Sequence, residues 1–148
     1  MHLKLCDMAD LPAACELARQ GYAEGEVFLP FDGAKVAWWT ARTIDRHLLI
    51  GVETDAGELV GALALDDEAP RYSSERALWD IGFYVRCDHR RSRAAALLRD
   101  AAAAIAADMD LPLFLGVSSG IDIERKGKFL TRAGFKPIGA MYLKRQPR

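Results

Sequence analysis

Residues 77–98 constrain this chain more than any other stretch. Ala77 to Val85 reads as a long strand, with Trp79, Ile81, Phe83, Tyr84 and Val85 supplying the aromatic and β-branched types that suit a pleated sheet. It runs into the basic turn Arg86-Cys87-Asp88-His89-Arg90-Arg91-Ser92-Arg93, and a helix spans about Arg91 to Asp108. There Leu97, Leu98, Ala101, Ala102 and Ile105 repeat with the 3.6-residue period, on an alanine background of high helix propensity. The first N–H groups of such a helix have no internal acceptor and sit at the positive end of its dipole, which makes an anion site. Ser92, Ala94, Ala95 and Ala96 are small enough for a phosphate to approach the backbone, and Arg90, Arg91 and Arg93 can bond phosphate oxygens in a fork. Cations at a helix start run against the dipole, so three arginines within four residues point to a bound anion. The plain alternative is a solvated basic helix start.

The flanking elements set the fold class. His2 to Cys6 alternates like a strand, and Asp10 before Leu11-Pro12 marks a helix start. Asp32 is placed to cap a second helix. Leu48–Thr54 and Leu59–Leu65 flank the turn residues Asp55-Ala56-Gly57-Glu58 and read as a hairpin, followed by an acidic loop, Asp66-Asp67-Glu68-Ala69-Pro70. Pro112–Val117 reads as a buried strand, Asp122–Ala133 as a helix stopped by Gly134, and Phe135–Arg145 as one or two closing strands. The order βααβββαβαβ is that of an α/β (α+β) domain over residues 1–148, with a mixed, mostly antiparallel central sheet flanked by helices.

Charge narrows the partners. The net charge of −1 hides seven Lys and Arg against fifteen Asp and Glu in residues 1–80, and thirteen against six in residues 81–148. The basic half expects an anion. The acidic half, with Glu24, Glu26, Asp32, Asp66, Asp67 and Glu68, suits a cationic partner. No apolar run is long enough for a transmembrane helix, and the start lacks a signal-peptide core, so a cytoplasmic location and no membrane partner are expected. Cys6, Cys15 and Cys87 are odd in number and widely spaced, which predicts neither a disulfide framework nor a metal site. The 86–99 segment lacks aromatics for base stacking, which argues against nucleic acid.

Val85 to Leu98 resembles the acetyl-CoA-binding motif of the GNAT acetyltransferase superfamily, Q/R-x-x-G-x-G/A after a strand. Arg90 matches the first position and Ala95 the last, while Arg93 stands where the central glycine normally is. A side chain at 93 leaves the amides open only if it points away. Residues 49–65 resemble the family's central hairpin and 77–85 its fourth strand. Phe129-Leu130-Thr131-Arg132-Ala133-Gly134-Phe135 resembles the ending of its last helix. The resemblance implies transfer of an acetyl group from acetyl-CoA, as co-substrate, to an amine. It implies cofactor contacts from Phe83, Tyr84, Val85, Arg90, Arg91, Ser92, Arg93, Ala94, Ala95 and Ser118.

Asp80 is a carboxylate inside an otherwise apolar strand and is the candidate base, with a salt-bridged or edge-exposed aspartate as the alternative. The family's thiolate-protonating tyrosine falls at Leu130, so Tyr142 or Tyr84 is the substitute acid. The missing tyrosine and Arg93 leave open a module that binds acyl-CoA without transferring it. A homodimer is compatible with the sequence, which does not set the acceptor.

Overall fold

Two near-continuous apolar runs in the central hairpin, buried on both faces, build the sheet on which everything else rests. The computed structural model describes residues 1–25 and 29–144. Strands β1 (His2–Leu5), β2 (Leu49–Glu53), β3 (Leu59–Glu68), β4 (Ala77–Val85) and β5 (Leu113–Phe114) form one sheet in that order. The first three junctions are antiparallel and β4–β5 is parallel, which is the mixed, mostly antiparallel sheet expected. Helices α1 (Leu11–Glu24), α2 (Gly33–Asp45), α3 (Ala94–Asp108) and α4 (Ile123–Thr131), with 3-10 turns at Met8–Asp10 and Cys87–His89, complete the described elements.

The sheet separates two cores. Val52, Val60, Leu63, Leu65, Leu78 and Val85 pack with Ala94, Leu98, Ala102 and Ala106 of α3. These α3 positions recur every four residues, and the three small alanines bring the helix close to the strands while Leu98 fills the space between them. Burying Leu98 fully contributes roughly 2 kcal/mol. Cys6, Ala14, Leu17, Ile44, Leu49 and Leu59 form the second core, with α1 and α2. Burial pushes the Cys6 thiol up to about 12, so it behaves as an inert core group.

Several boundaries differ from the sequence reading, each for a local reason. Asp10 does not cap α1 with its side chain. Its carboxylate instead takes the N–H of Asp7 at 2.9 Å and the Lys4 ammonium at 2.8 Å. Asp32 caps α2 as expected, accepting from the Lys35 N–H at 3.0 Å. Helix α3 starts at Ala94, later than its periodicity suggests, because Cys87–His89 closes into a 3-10 turn. The Ser92 hydroxyl then donates to the His89 carbonyl at 2.6 Å and accepts from the Ala94 N–H at 3.1 Å.

The acidic loop is a strand. β3 continues through Glu68, with Asp66, Asp67 and Glu68 opposite Trp79, Leu78 and Ala77. Arginines make this possible. Arg46 donates to Asp66 at 3.1 Å and Asp67 at 3.0 Å, Arg42 to Glu68 at 2.8 Å, and Arg76 to Asp67. The fifth strand shrinks to Leu113–Phe114. The closing strands do not form over residues 135–144, and Arg145 lies outside the described residues. A two-residue edge offers too few ladder bonds to template a further strand, and Ile138, Met141, Tyr142 and Leu143 stay exposed.

Candidate active site

A register defect in β4 opens the site. Ala64 pairs with Gly82 and Leu65 with Asp80, so Ile81 is an extra residue on β4. β4 and β5 pair only at Leu78–Leu113 and Trp79–Phe114 and then part. The Trp79 and Phe114 rings stack at 4.1 Å and 8°, which pins the point of divergence. Beyond it Ile81 and Gly82 are exposed in mid-strand. The result is a cleft between the second half of β4 and residues 115–119.

Asp80 stands at the fork. Its Oδ2 accepts from the Gly116 N–H at 2.9 Å, which ties the two diverging chains together. Burial pushes its carboxyl up to about 6, against the opposing pull of that N–H. A carboxyl poised there exchanges protons readily at neutral pH.

Backbone parity decides which amides face the cleft. The Arg86 N–H donates to the Val60 carbonyl at 2.9 Å, and antiparallel bonding alternates along β4. The N–H groups of Phe83 and Val85 therefore point away from β3, into the cleft. That of Tyr84 points back to β3, so of the three strand residues expected to contact cofactor, Tyr84 has no free amide. Its ring crosses α1 at Gly21, where an added Cβ would stand 2.7 Å from the Tyr84 Cδ2.

The Tyr84 hydroxyl donates to Glu24 at 2.6 Å, and burial together with this bond pushes the phenol up to about 12. Arg90 donates to the Glu24 carboxylate and to the Val85 carbonyl at 3.0 Å, with its guanidinium 5.4 Å from the Tyr84 ring centre. Burial opposes ionisation of Glu24, yet the bonds from Tyr84 and Arg90 outweigh it and lower its pKa. Arg90 is thus a latch between α1 and β4, and its side chain is committed before any ligand arrives.

The remaining arginines of the turn divide similarly. Arg86 bonds Asp88 at 2.7 Å and Glu58. Arg93 donates to the Met1 carbonyl at 3.0 Å, so it points across β1 and away from the α3 amides. Its φ of −79° is ordinary for a side chain, which explains why glycine is not needed there. Arg91 is exposed and makes no hydrogen bond among the described residues. Ser92 takes the amide of Ala94, whose own side chain is buried, so the N–H groups of Arg93, Ala95 and Ala96 are the open donors at the helix start.

Other expected residues fall elsewhere. Tyr142 is 95% exposed on the C-terminal extension and is not brought to Asp80. Leu130 is half-buried on α4, and Ser118 is exposed past β5. Trp38 is exposed and Trp39 half-buried, with the Arg42 guanidinium 4.9 Å from the Trp39 ring. The acidic residues read as a lure for cations are paired: Glu24 in the latch, Asp32 in a cap, and Asp66, Asp67 and Glu68 with arginines. Glu26 lies outside the described residues. A groove of about 720 Å³ between α3 and α4, lined by Arg99, Arg125, Lys128 and Arg132 among others, shares no residue with the cleft. No helix among the described residues is long and apolar enough to cross a membrane, and no three His, Cys, Asp or Glu side chains gather as a metal site. The roles of Gly116, Gly21 and the Glu24 carboxylate were not visible in sequence. The one available signal was Glu24 ending an apolar helix just before Gly25.

Neither a family model nor a curated protein matches the sequence. Solved structures do match. A GCN5-related N-acetyltransferase from Ralstonia eutropha JMP134 superposes with a TM-score of 0.69 at 16% identity, over 97% of each chain. A ribosomal-protein-alanine N-acetyltransferase from Brucella melitensis biovar Abortus gives 0.68 at 20% identity, over 99% of each chain. The chain has the GNAT fold. A predicted acetyltransferase from Clostridium acetobutylicum, solved with acetyl-CoA, superposes at 0.71 and 16% identity, over 97% of this chain and 95% of that one.

Proposed function

We propose that the protein is an acetyl-CoA-dependent N-acetyltransferase. The observation that carries this reading is the fork: β4 and β5 stop pairing where the Asp80 carboxyl accepts the Gly116 N–H, the N–H groups of Phe83 and Val85 turn away from β3 beyond that point, and α3 starts just past the end of β4. The residues fit the co-substrate. The α3 amides and Arg91 suit a pyrophosphate, and the β4 edge suits an extended amide-bearing arm. Acetyl-CoA supplies an activated acyl group. Asp80 takes the proton an attacking ammonium must shed, directly or through one water. Backbone N–H groups on the β4 edge stabilise negative charge on the carbonyl oxygen. The acceptor is an amine whose charge the paired carboxylates do not specify.

A second reading, binding of acyl-CoA without transfer, draws support from Leu130, an apolar residue where the family resemblance expects an acid. One experiment separates the two. Acetyl-CoA at about a hundredfold over its Kd stabilises the native state by about 2.7 kcal/mol and raises the melting temperature. A panel of amines is then followed for thiol release. Stabilisation with turnover supports transfer, stabilisation without turnover supports the binding module, and no stabilisation refutes both.

A further inference from the structure

Among the lysines, one is unlike the others. Lys4 pairs with Asp10 at 2.8 Å and Lys128 with Glu124 at 2.6 Å, while Lys35, Lys136 and Lys144 are exposed. Lys126 is half-buried on α4, and among the described residues no carboxylate pairs with it. Its Nζ donates instead to the Ser119 Oγ at 2.6 Å. Ser119 lies three residues past Gly116, whose N–H holds Asp80, so Lys126 is bonded to the same 115–119 segment that faces β4 across the fork. The Ser119 carbonyl packs over Gly25 at the end of α1, beside the Glu24–Tyr84–Arg90 latch. Burial, with Arg90 nearby, lowers the Lys126 pKa against the opposing pull of Asp122 and Glu24. A hydrogen bond to a neutral hydroxyl leaves the nitrogen able to turn toward a carbonyl carbon along a flexible stem.

We propose that Lys126 is an internal acetyl acceptor, acylated on Nζ by an acetyl thioester held between β4 and residues 115–119. The inference rests on the acetyl-CoA reading of the cleft. The neutral amine attacks the thioester carbonyl carbon, an N–C bond forms and the C–S bond breaks. The nitrogen loses one proton and the departing thiolate gains one, leaving acetyl-lysine and free CoA thiol.

The full chain is incubated with excess acetyl-CoA at two protein concentrations and sampled for peptide mass mapping, with melting temperatures measured alongside. The expected result is acetylation of Lys126 at least about tenfold faster than of Lys35, Lys136 or Lys144, well within what proximity supplies. The rate per molecule is unchanged by protein concentration, the preference vanishes in urea, and Lys126→Arg leaves only the slow background. A raised melting temperature with Lys126 labelled no faster than the exposed lysines overturns this inference and spares the acetyl-CoA reading. No stabilisation and no selective labelling overturn both.

Discussion

Replacing Asp80 by Asn separates what this acid costs the fold from what it does in the cleft. Its carboxyl sits at about 6 against an ordinary 3.8. At about 1.4 kcal/mol per pKa unit, the upper bound on the penalty for keeping it ionised in the native state is about 3 kcal/mol. The side chain retains some solvent contact, and screening trims this to about 2 kcal/mol. Below the unfolded value the group is protonated in both states and costs nothing. As pH rises from about 4 to about 6 the unfolded chain releases a proton that the native state still holds, so stability falls. Above about 6 the penalty is complete. Asn keeps a carbonyl acceptor for the Gly116 N–H and does not titrate.

Urea unfolding of both proteins from about pH 4 to 8 therefore shows equal stability at the acid end and an Asp80→Asn advantage of about 2 kcal/mol at neutral pH, the gap opening between about 4 and 6. Amine-dependent thiol release at neutral pH drops by about 10²–10⁴ in the same variant. A stability difference that is flat with pH refutes the burial of Asp80 as the cause. Turnover equal to wild type with an unchanged pH profile refutes its role as base.

Arg90 and Arg91, adjacent in sequence, divide in effect. Arg91→Ala weakens CoA binding about tenfold with little change in melting temperature, whereas Arg90→Ala lowers stability by about 1–3 kcal/mol by breaking the latch; calorimetry and urea titration read the two. Gly21→Ala forces a Cβ into the Tyr84 ring and costs about 1–3 kcal/mol in urea unfolding, with a perturbed tyrosine absorbance. Asp66→Asn leaves Arg42 and Arg46 short of a partner and destabilises by about 1–3 kcal/mol, while the KM for any amine found to be a substrate stays unchanged.

Elements with their own periodicity were legible in the sequence. The hairpin shows as two apolar runs around turn residues, β4 as an aromatic and β-branched run and α3 as a 3.6-residue repeat, and their order is enough to suggest the fold. What escaped was set by partners distant in sequence. β3 runs through Asp66, Asp67 and Glu68 because Arg42, Arg46 and Arg76 neutralise them, and no local pattern announces arginines from α2 and from the β3–β4 connection. Phe135–Leu143 has strand composition, but strand formation needs an edge, and β5 is two residues long. In the site, Asp80 was conspicuous as a charge in an apolar run. Its partner Gly116 was not, because a backbone N–H has no sequence signature. Tyr142 has the right chemistry for an acid, but residue type alone sets no position, and the chain leaves it exposed away from Asp80.

The charge split takes on a different meaning once its partners are known. Thirteen cationic residues past position 80 suggest a broad basic surface. In the turn at the α3 start, however, Arg86 is spent on Glu58 and Asp88, Arg90 on Glu24 and Arg93 on the Met1 carbonyl. What is left for a ligand there is Arg91 and a few convergent amides. Nucleic-acid binding draws its affinity from many mobile cations spread along a backbone, and this turn does not supply them. A compact phosphate group needs the reverse: few donors, fixed in direction, at the positive end of one helix. The two ion pairs and the one hydrogen bond that consume three of the four arginines also hold the turn in place, so the donors that remain are aimed before the ligand binds.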